Sequence, residues 1–291
     1  MDVALRTETT LAAALNRAKA EPAPAGLARA LDHSVFPGGA RVRPRLCLSV
    51  AQACDETGFA TLLANAAAAS LELIHCASPV HDDLPCFDDA DTRRGRPSVH
   101  AAFGQPIAVL AGDALIVLAF EVLASAAAAA PLRLPGLAAR LAQATGMPGG
   151  ICAGQGWESE REIDLSACHR AKTGSPFVAA TAMGALAAGG DPAPWRRLGA
   201  GLGEAFQVAD DLRDAVLTAK ELGKPVRQDD AHGRPNAVAA HGVDGAVRHL
   251  RDLLEDAVAS IPPCPGEADL RRLVMAQAER LSPAKPAHAA A

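Results

Sequence analysis

Two acidic clusters stand out in this chain: Asp82-Asp83-Leu84-Pro85-Cys86-Phe87-Asp88, followed at once by Arg93-Arg94-Gly95, and Asp210-Asp211-Leu212-Arg213-Asp214 far downstream. On a helix, Asp210 and Asp214 at i and i+4 project from one face, and Asp211 adds a third oxygen donor beside them. The first cluster follows a long apolar stretch ending near Val80, which predicts a helix C-terminus at Asp82 and Asp83. There the helix dipole disfavours a negative charge by about 0.3–1 kcal/mol. Crowded like charges at an unfavourable helix end are resolved by a cation. All-oxygen donors favour Mg²⁺, which keeps waters and shares carboxylates with substrate phosphates, over Zn²⁺. The two clusters therefore read as paired Mg²⁺ claws for a diphosphate.

Cations flank these claws: Arg41 and Arg43 after Gly38-Gly39, Arg93 and Arg94, Lys172 in Lys172-Thr173-Gly174, and Lys224 in Leu222-Gly223-Lys224-Pro225. Each alone reads as a solvated charge. Beside two metal-type motifs they become candidates for phosphate oxygens, arginine through its planar fork and lysine as a movable point charge. His75, on an otherwise apolar segment, reads from residue type as a hydrogen-bonded core histidine. Asp113 has no acidic companion at helical spacing and reads as structural. Cys86, inside the first motif, reads as a spectator thiol.

The elements that must position these groups are helices. Apolar residues recur at three- and four-residue intervals and alternating β-branched runs are scarce, so the fold class is all-α, a bundle of about 10–13 helices. The spacing predicts helices over 3–19, 24–33, 41–55, 59–83, 106–129, 134–145, 148–161, 165–172, 174–189, 194–218, 236–259 and 266–281. Pro37-Gly38-Gly39, Gly95-Arg96-Pro97 and Gly189-Gly190-Asp191-Pro192 punctuate them. No linker interrupts the pattern, so residues 1–291 read as a single domain with a frayed tail over 283–291.

Hydrophobic residues make up 49% and aromatics 3%, with no tyrosine, so the core must be built from Ala, Leu, Val and Ile. A net charge of −5, with basic residues dispersed or beside the acidic motifs, excludes a nucleic-acid footprint. Seven cysteines without CxxC spacing, and an N-terminus without a signal-peptide core, predict a cytoplasmic protein with free thiols. The apolar run from Ile107 to Leu123 is broken by Asp113 and Glu121, so no membrane span is predicted.

Several motifs, in order, resemble the trans-isoprenyl diphosphate synthase family over nearly the whole chain. They are Gly38-Gly39-Ala40-Arg41-Val42-Arg43-Pro44, Asp82 to Gly95, Gly112-Asp113-Ala114-Leu115, Lys172-Thr173-Gly174, Phe206 to Asp214 and Gly223-Lys224-Pro225. A lone DDxxD is weak, whereas the ordered set is specific. Cys152 to Glu160 and His232 to Val238 are similar to the branch of purple-bacterial pigment pathways that makes geranylgeranyl diphosphate.

The resemblance implies the isoprenoid synthase fold, with helices around an elongated cavity, and a homodimer. It implies that Asp82, Asp83, Asp88, Asp210, Asp211 and Asp214 hold Mg²⁺ on the allylic diphosphate, with Arg93, Lys172, Lys224 and Arg234 as cationic partners. Arg43, His75 and Arg94 match positions that bind isopentenyl diphosphate; Thr173 and Gln207 match positions beside the allylic cation. The reaction implied is a 1′-4 condensation of isopentenyl diphosphate with allylic prenyl diphosphates.

Two departures bear on this. Ala40 stands where most of the family has a lysine on isopentenyl diphosphate, and Arg41 or Arg45 is the expected replacement. Pro79 lies inside the helix that delivers Asp82, where it should remove a backbone bond and kink the helix. For product length, Ala77 and Ser78 lie five and four residues before Asp82, and synthases of shorter products carry a bulky aromatic at the Ala77 position. The cavity below the claw is therefore expected to admit a geranylgeranyl chain, with Phe120 or Leu118 as its floor. Farnesyl or longer products, a class I terpene cyclase and a regulatory prenyltransferase subunit are the alternatives. The second DDxxD argues against the cyclase, and two intact claws argue against the subunit.

Overall fold

The computed structural model describes residues 3–36, 39–55, 58, 61–126, 128, 130–162, 164–216 and 236–281. Helix α1 (Val3–Ala18) buries Thr7, Leu11, Ala14 and Leu15, one face at three- and four-residue spacing. Helix α2 (Ala25–Val35) buries Ala30, Leu31 and Val35 in the same way. Helices α3 (Val42–Cys54) and α4 (Thr61–Asp82) lie deeper, and α4 is covered on nearly every side. Its run Ala66–Ala69 lets neighbours approach closely.

After α4 the chain forms a two-stranded ribbon that helical spacing did not predict. Strands β1 (Thr92–Arg93) and β2 (Arg96–Pro97) are antiparallel, with Arg93 opposite Arg96. Arg94 and Gly95 between them both have positive φ, 54° and 72°, the mark of a two-residue type I′ turn. The short α5 (Val99–Phe103), also unforeseen, leads into α6 (Gln105–Ser125), which packs along α4. By length and composition α6 is the one helix among the described residues able to cross a membrane, and 44% of its apolar window is buried inside the protein.

The second half contains α7 (Leu134–Thr145), α8 (Ile151–Trp157), α9 (Leu165–His169), α10 (Ser175–Ala188), α11 (Arg196–Val216), α12 (Ala237–Ala259) and α13 (Glu267–Leu281). Helix α10 packs against α3, α4, α7 and α11, and α12 covers α11. Between α9 and α10, residues Arg170–Gly174 form a π-helical turn. Pro176 has no N–H to bond the Lys172 carbonyl four residues back, which favours the wider turn there. Apart from the ribbon, α5 and this turn, the predicted helices are found within a few residues of their expected bounds. The exception is the predicted 148–161, which is shortened to α8. Pro79 does not interrupt α4, which runs without a break to Asp82.

Candidate active site

The end of α4 and the loop after it fold back on each other. The Asp88 N–H donates to the Asp82 carbonyl (2.9 Å) and the Ala90 N–H to the Asp83 carbonyl (3.1 Å), holding Asp88 over the helix end. Burial raises the Asp82 carboxyl above the usual carboxylate range; the Lys172 ammonium opposes this and the Asp88 charge adds to it. That crowding is what a divalent cation would relieve. Among the described residues no three His, Cys, Asp or Glu side chains converge as a metal site. Carboxylate oxygens such as those of Asp82 and Asp88 suit a hard cation that takes its remaining ligands from water and phosphate.

The two residues of the first pair face different partners. Asp82 lies 3.6 Å from Lys172 Nζ and accepts from Ser78 Oγ at 3.4 Å. Asp83 is buried and clamped by Arg93, whose Nε donates at 2.8 and 2.9 Å and whose terminal nitrogen donates at 2.6 Å. Lys172 also donates to Glu158 Oε1 at 3.1 Å. Burial alone would weaken the Lys172 charge, but Asp82 and Glu158 outweigh it and raise its pKa. Glu158 had no assigned role from sequence. Its only signal was its place in the Cys152 to Glu160 segment.

Helix α11, which packs against the π-helical turn, carries the second acidic cluster. Asp210 lies 2.9 Å from Arg213. Asp211 accepts from Gln207 Nε2 at 3.0 Å and from the Ala237 N–H, at the start of α12, at 2.8 Å. Asp214 is half-buried on the same helix. Thr173 Oγ1 donates to Gln207 Oε1 at 3.0 Å, so the π-turn and α11 are joined through these two side chains. Lys224 and Arg234, and Arg227 near them, lie outside the described residues.

A third group gathers at the start of α3. Arg43 is buried with Nε unpartnered, and its guanidinium lies over Phe177 (4.9 Å) and Phe206 (5.7 Å). Arg94 lies against Gly39, where an added Cβ would stand 3.0 Å from the guanidinium. Burial, then the charges of Arg43 and Arg94, hold the His75 pKa well below its ordinary value, so its ring is neutral. His75 is thus no enclosed core residue of the ordinary kind; it faces this cationic group.

Arg41 is not the replacement for the lysine missing at Ala40. Its side chain is consumed by Glu8, Glu72 and the Val35 carbonyl. The guanidinium that lies against Gly39, the neighbour of Ala40, is that of Arg94.

Below Asp82 an apolar cavity of about 330 Å³ is lined by Ile74, Ala77, Ser78, Ile116, Thr145 and Ile151 among others. Neither Phe120 nor Leu118 lines it. Leu118 is buried elsewhere in the core, and Ile116 takes the α6 position that faces the cavity. A larger cavity, about 1000 Å³, is lined by Gln207 and Asp211 among others, and not by Asp82.

The polyprenyl synthetase family profile matches residues 24–270. The chain is 60% identical over 282 residues to a geranylgeranyl diphosphate synthase of Cereibacter sphaeroides, covering 97% of each chain. It is 53% identical over 281 residues to the geranylgeranyl diphosphate synthase of Rhodobacter capsulatus, covering 97% of this chain and 96% of the relative. Among solved structures, a geranyltransferase from Helicobacter pylori complexed with magnesium and isoprenyl diphosphate aligns with a TM-score of 0.78 at 26% identity. That match covers 94% of this chain and 96% of the other.

Proposed function

Because this chain belongs to the polyprenyl synthetase family, we propose that it condenses isopentenyl diphosphate with allylic prenyl diphosphates, 1′-4 and trans, to give geranylgeranyl diphosphate. The observation that carries the reading is the apolar cavity with Ala77 in its wall, directly below Asp82.

Asp82, Asp88, Asp210 and Asp214 are the residues that would hold Mg²⁺, while Asp83 and Asp211 brace Arg93 and the start of α12. Bound there, Mg²⁺ supplies charge neutralisation for the departing diphosphate. The Helicobacter pylori structure complexed with magnesium supports the use of a divalent cation.

Arg93, Lys172, Lys224 and Arg234 bind the allylic diphosphate. As its C–O bond breaks, charge grows on the leaving oxygens, and the fixed ammonium of Lys172 stabilises it. Thr173 and Gln207, joined by a hydrogen bond of 3.0 Å, would turn their remaining oxygen lone pairs to the allylic cation. Arg43, His75 and Arg94 bind isopentenyl diphosphate from the other side. The alkene attacks the cation, a proton leaves to the released diphosphate, and the lengthened chain enters the cavity, whose apolar walls keep water from the cation.

The protein acts as one polyprenyl synthetase domain, a cytoplasmic homodimer. Exposed Val109, Leu110 and Val117 on α6 support the second copy, since they share a face at seven- and eight-residue spacing. The test is incubation with labelled isopentenyl diphosphate and each of dimethylallyl, geranyl and farnesyl diphosphate, with and without Mg²⁺. Absence of product from every primer rejects the reading.

A further inference from the structure

Arg41 opens α3 in an unusual way. Its backbone is left-handed (φ 49°, ψ 40°), a conformation that a non-glycine residue adopts only when its surroundings hold it there. The surroundings are specific. Glu8 of α1 accepts from Nε at 2.8 Å, Glu72 of α4 from one terminal nitrogen at 2.7 Å, and the Val35 carbonyl ending α2 from the other at 2.9 Å. One guanidinium thus ties three helices to the turn that starts a fourth.

That turn carries the groups assigned above to isopentenyl diphosphate. Arg43 follows Arg41 by two residues, and Gly39, against which Arg94 packs, precedes it by two. His75 lies on α4 one helical turn beyond Glu72. Glu72 is also electrostatically coupled to Arg43 and Arg94, so it offsets positive charge in a pocket whose histidine stays neutral. Burial works against the Arg41 charge, yet its bonds to Glu8 and Glu72 raise its pKa above the ordinary value.

We propose that Glu8 and Glu72, acting through Arg41, are positioning residues for the isopentenyl diphosphate subsite: they fix the left-handed turn and hence the reach of Arg43 and Arg94. None of the three touches the allylic subsite built by Asp82, Lys172 and Thr173. The N-terminal helix is thereby part of substrate recognition, although no residue of it contacts substrate. This inference rests on the proposed condensation.

The test is steady-state kinetics on full-length Glu8→Gln and Glu72→Gln, varying each substrate in turn, with melting curves for each protein. Glu8 is the milder site, its side chain 40% exposed, so that variant remains informative if the buried one does not fold. The expected result is a rise in KM for isopentenyl diphosphate of roughly fivefold or more, with KM for the allylic primer within about twofold. Arg41→Lys, which keeps charge but loses the fork, should show the same selectivity. Parallel changes in both KM values, or no change in a variant with native melting, would overturn the inference. Lack of any product from the unaltered protein would instead reject the condensation itself, so the two failures are distinct.

Discussion

Gly154 of α8 lies against the backbone of Lys172: a Cβ at position 154 would stand 2.7 Å from both the Lys172 nitrogen and its Cβ. This approach sets how far Lys172 reaches toward Asp82 and Glu158. Gly154→Ala forces the π-turn outward, and such overpacking typically costs about 1–3 kcal/mol. A lower melting temperature is expected together with a fall in kcat, because the displaced ammonium no longer meets the leaving diphosphate. Wild-type melting and kinetics in that variant would mean that the contact is soft.

Much of this site was legible because its signals are local. The helix bounds follow from three- and four-residue spacing, and Asp82, Lys172 and Gln207 stand in motifs only a few residues long. What stayed hidden depends on partners distant in sequence. Arg41 looked like a phosphate ligand because nothing near it reveals Glu8 and Glu72. The acceptor role of Asp211 toward the Ala237 N–H was not legible because it requires α12 to be folded against α11. The ribbon at Thr92–Pro97 was missed because its strands are two residues long, too short for a periodicity to register, although Arg94-Gly95 carried a turn signal. The cavity floor was misplaced on α6 because helical spacing gives no absolute rotation of a helix that is apolar on most sides.

Ala77 and Ile116 face the same cavity from α4 and α6. Ala77→Tyr fills space that the growing chain occupies, so the main product should shorten from geranylgeranyl to farnesyl diphosphate. Ile116→Ala enlarges the cavity and should shift some output to longer chains. Chromatography of the dephosphorylated products reads both. An unchanged product from Ala77→Tyr would remove this cavity from the account of chain length.

Asp210 and Asp211 are adjacent in sequence but have separable roles. Asp210→Ala removes a carboxylate proposed to hold the cation, so turnover should drop by at least on the order of 100-fold. Its stability should stay near wild type, because the ion pair with Arg213 is partly exposed. Asp211→Ala leaves the Ala237 N–H and the Gln207 amide without their acceptor, at a cost of about 1–3 kcal/mol. Melting curves beside kinetics on the two variants separate them; equal destabilisation would contradict the division of roles.

His75 offers a test of the electrostatics by pH. Burial, then the charges of Arg43 and Arg94, hold its pKa well below the model-peptide value of 6.5 in the folded protein. Above that value neither state binds the proton, so His75 adds no pH dependence. As pH falls below it, the unfolded chain takes up a proton that the folded protein refuses, and stability declines by up to about 1.4 kcal/mol per pH unit. The decline ends only when the pH reaches the folded pKa. His75→Gln has no such group. Its unfolding free energy, subtracted from that of the wild type, should therefore be constant from about pH 8 to 7 and change steadily below about pH 6.5, to the disadvantage of the wild type. Taking the difference cancels the carboxylates common to both proteins. A flat difference would give His75 an ordinary pKa, and it would then carry a charge when isopentenyl diphosphate binds in mild acid. With the lowered pKa, the ring is neutral before substrate binds, and the positive charge of the subsite resides on Arg43 and Arg94.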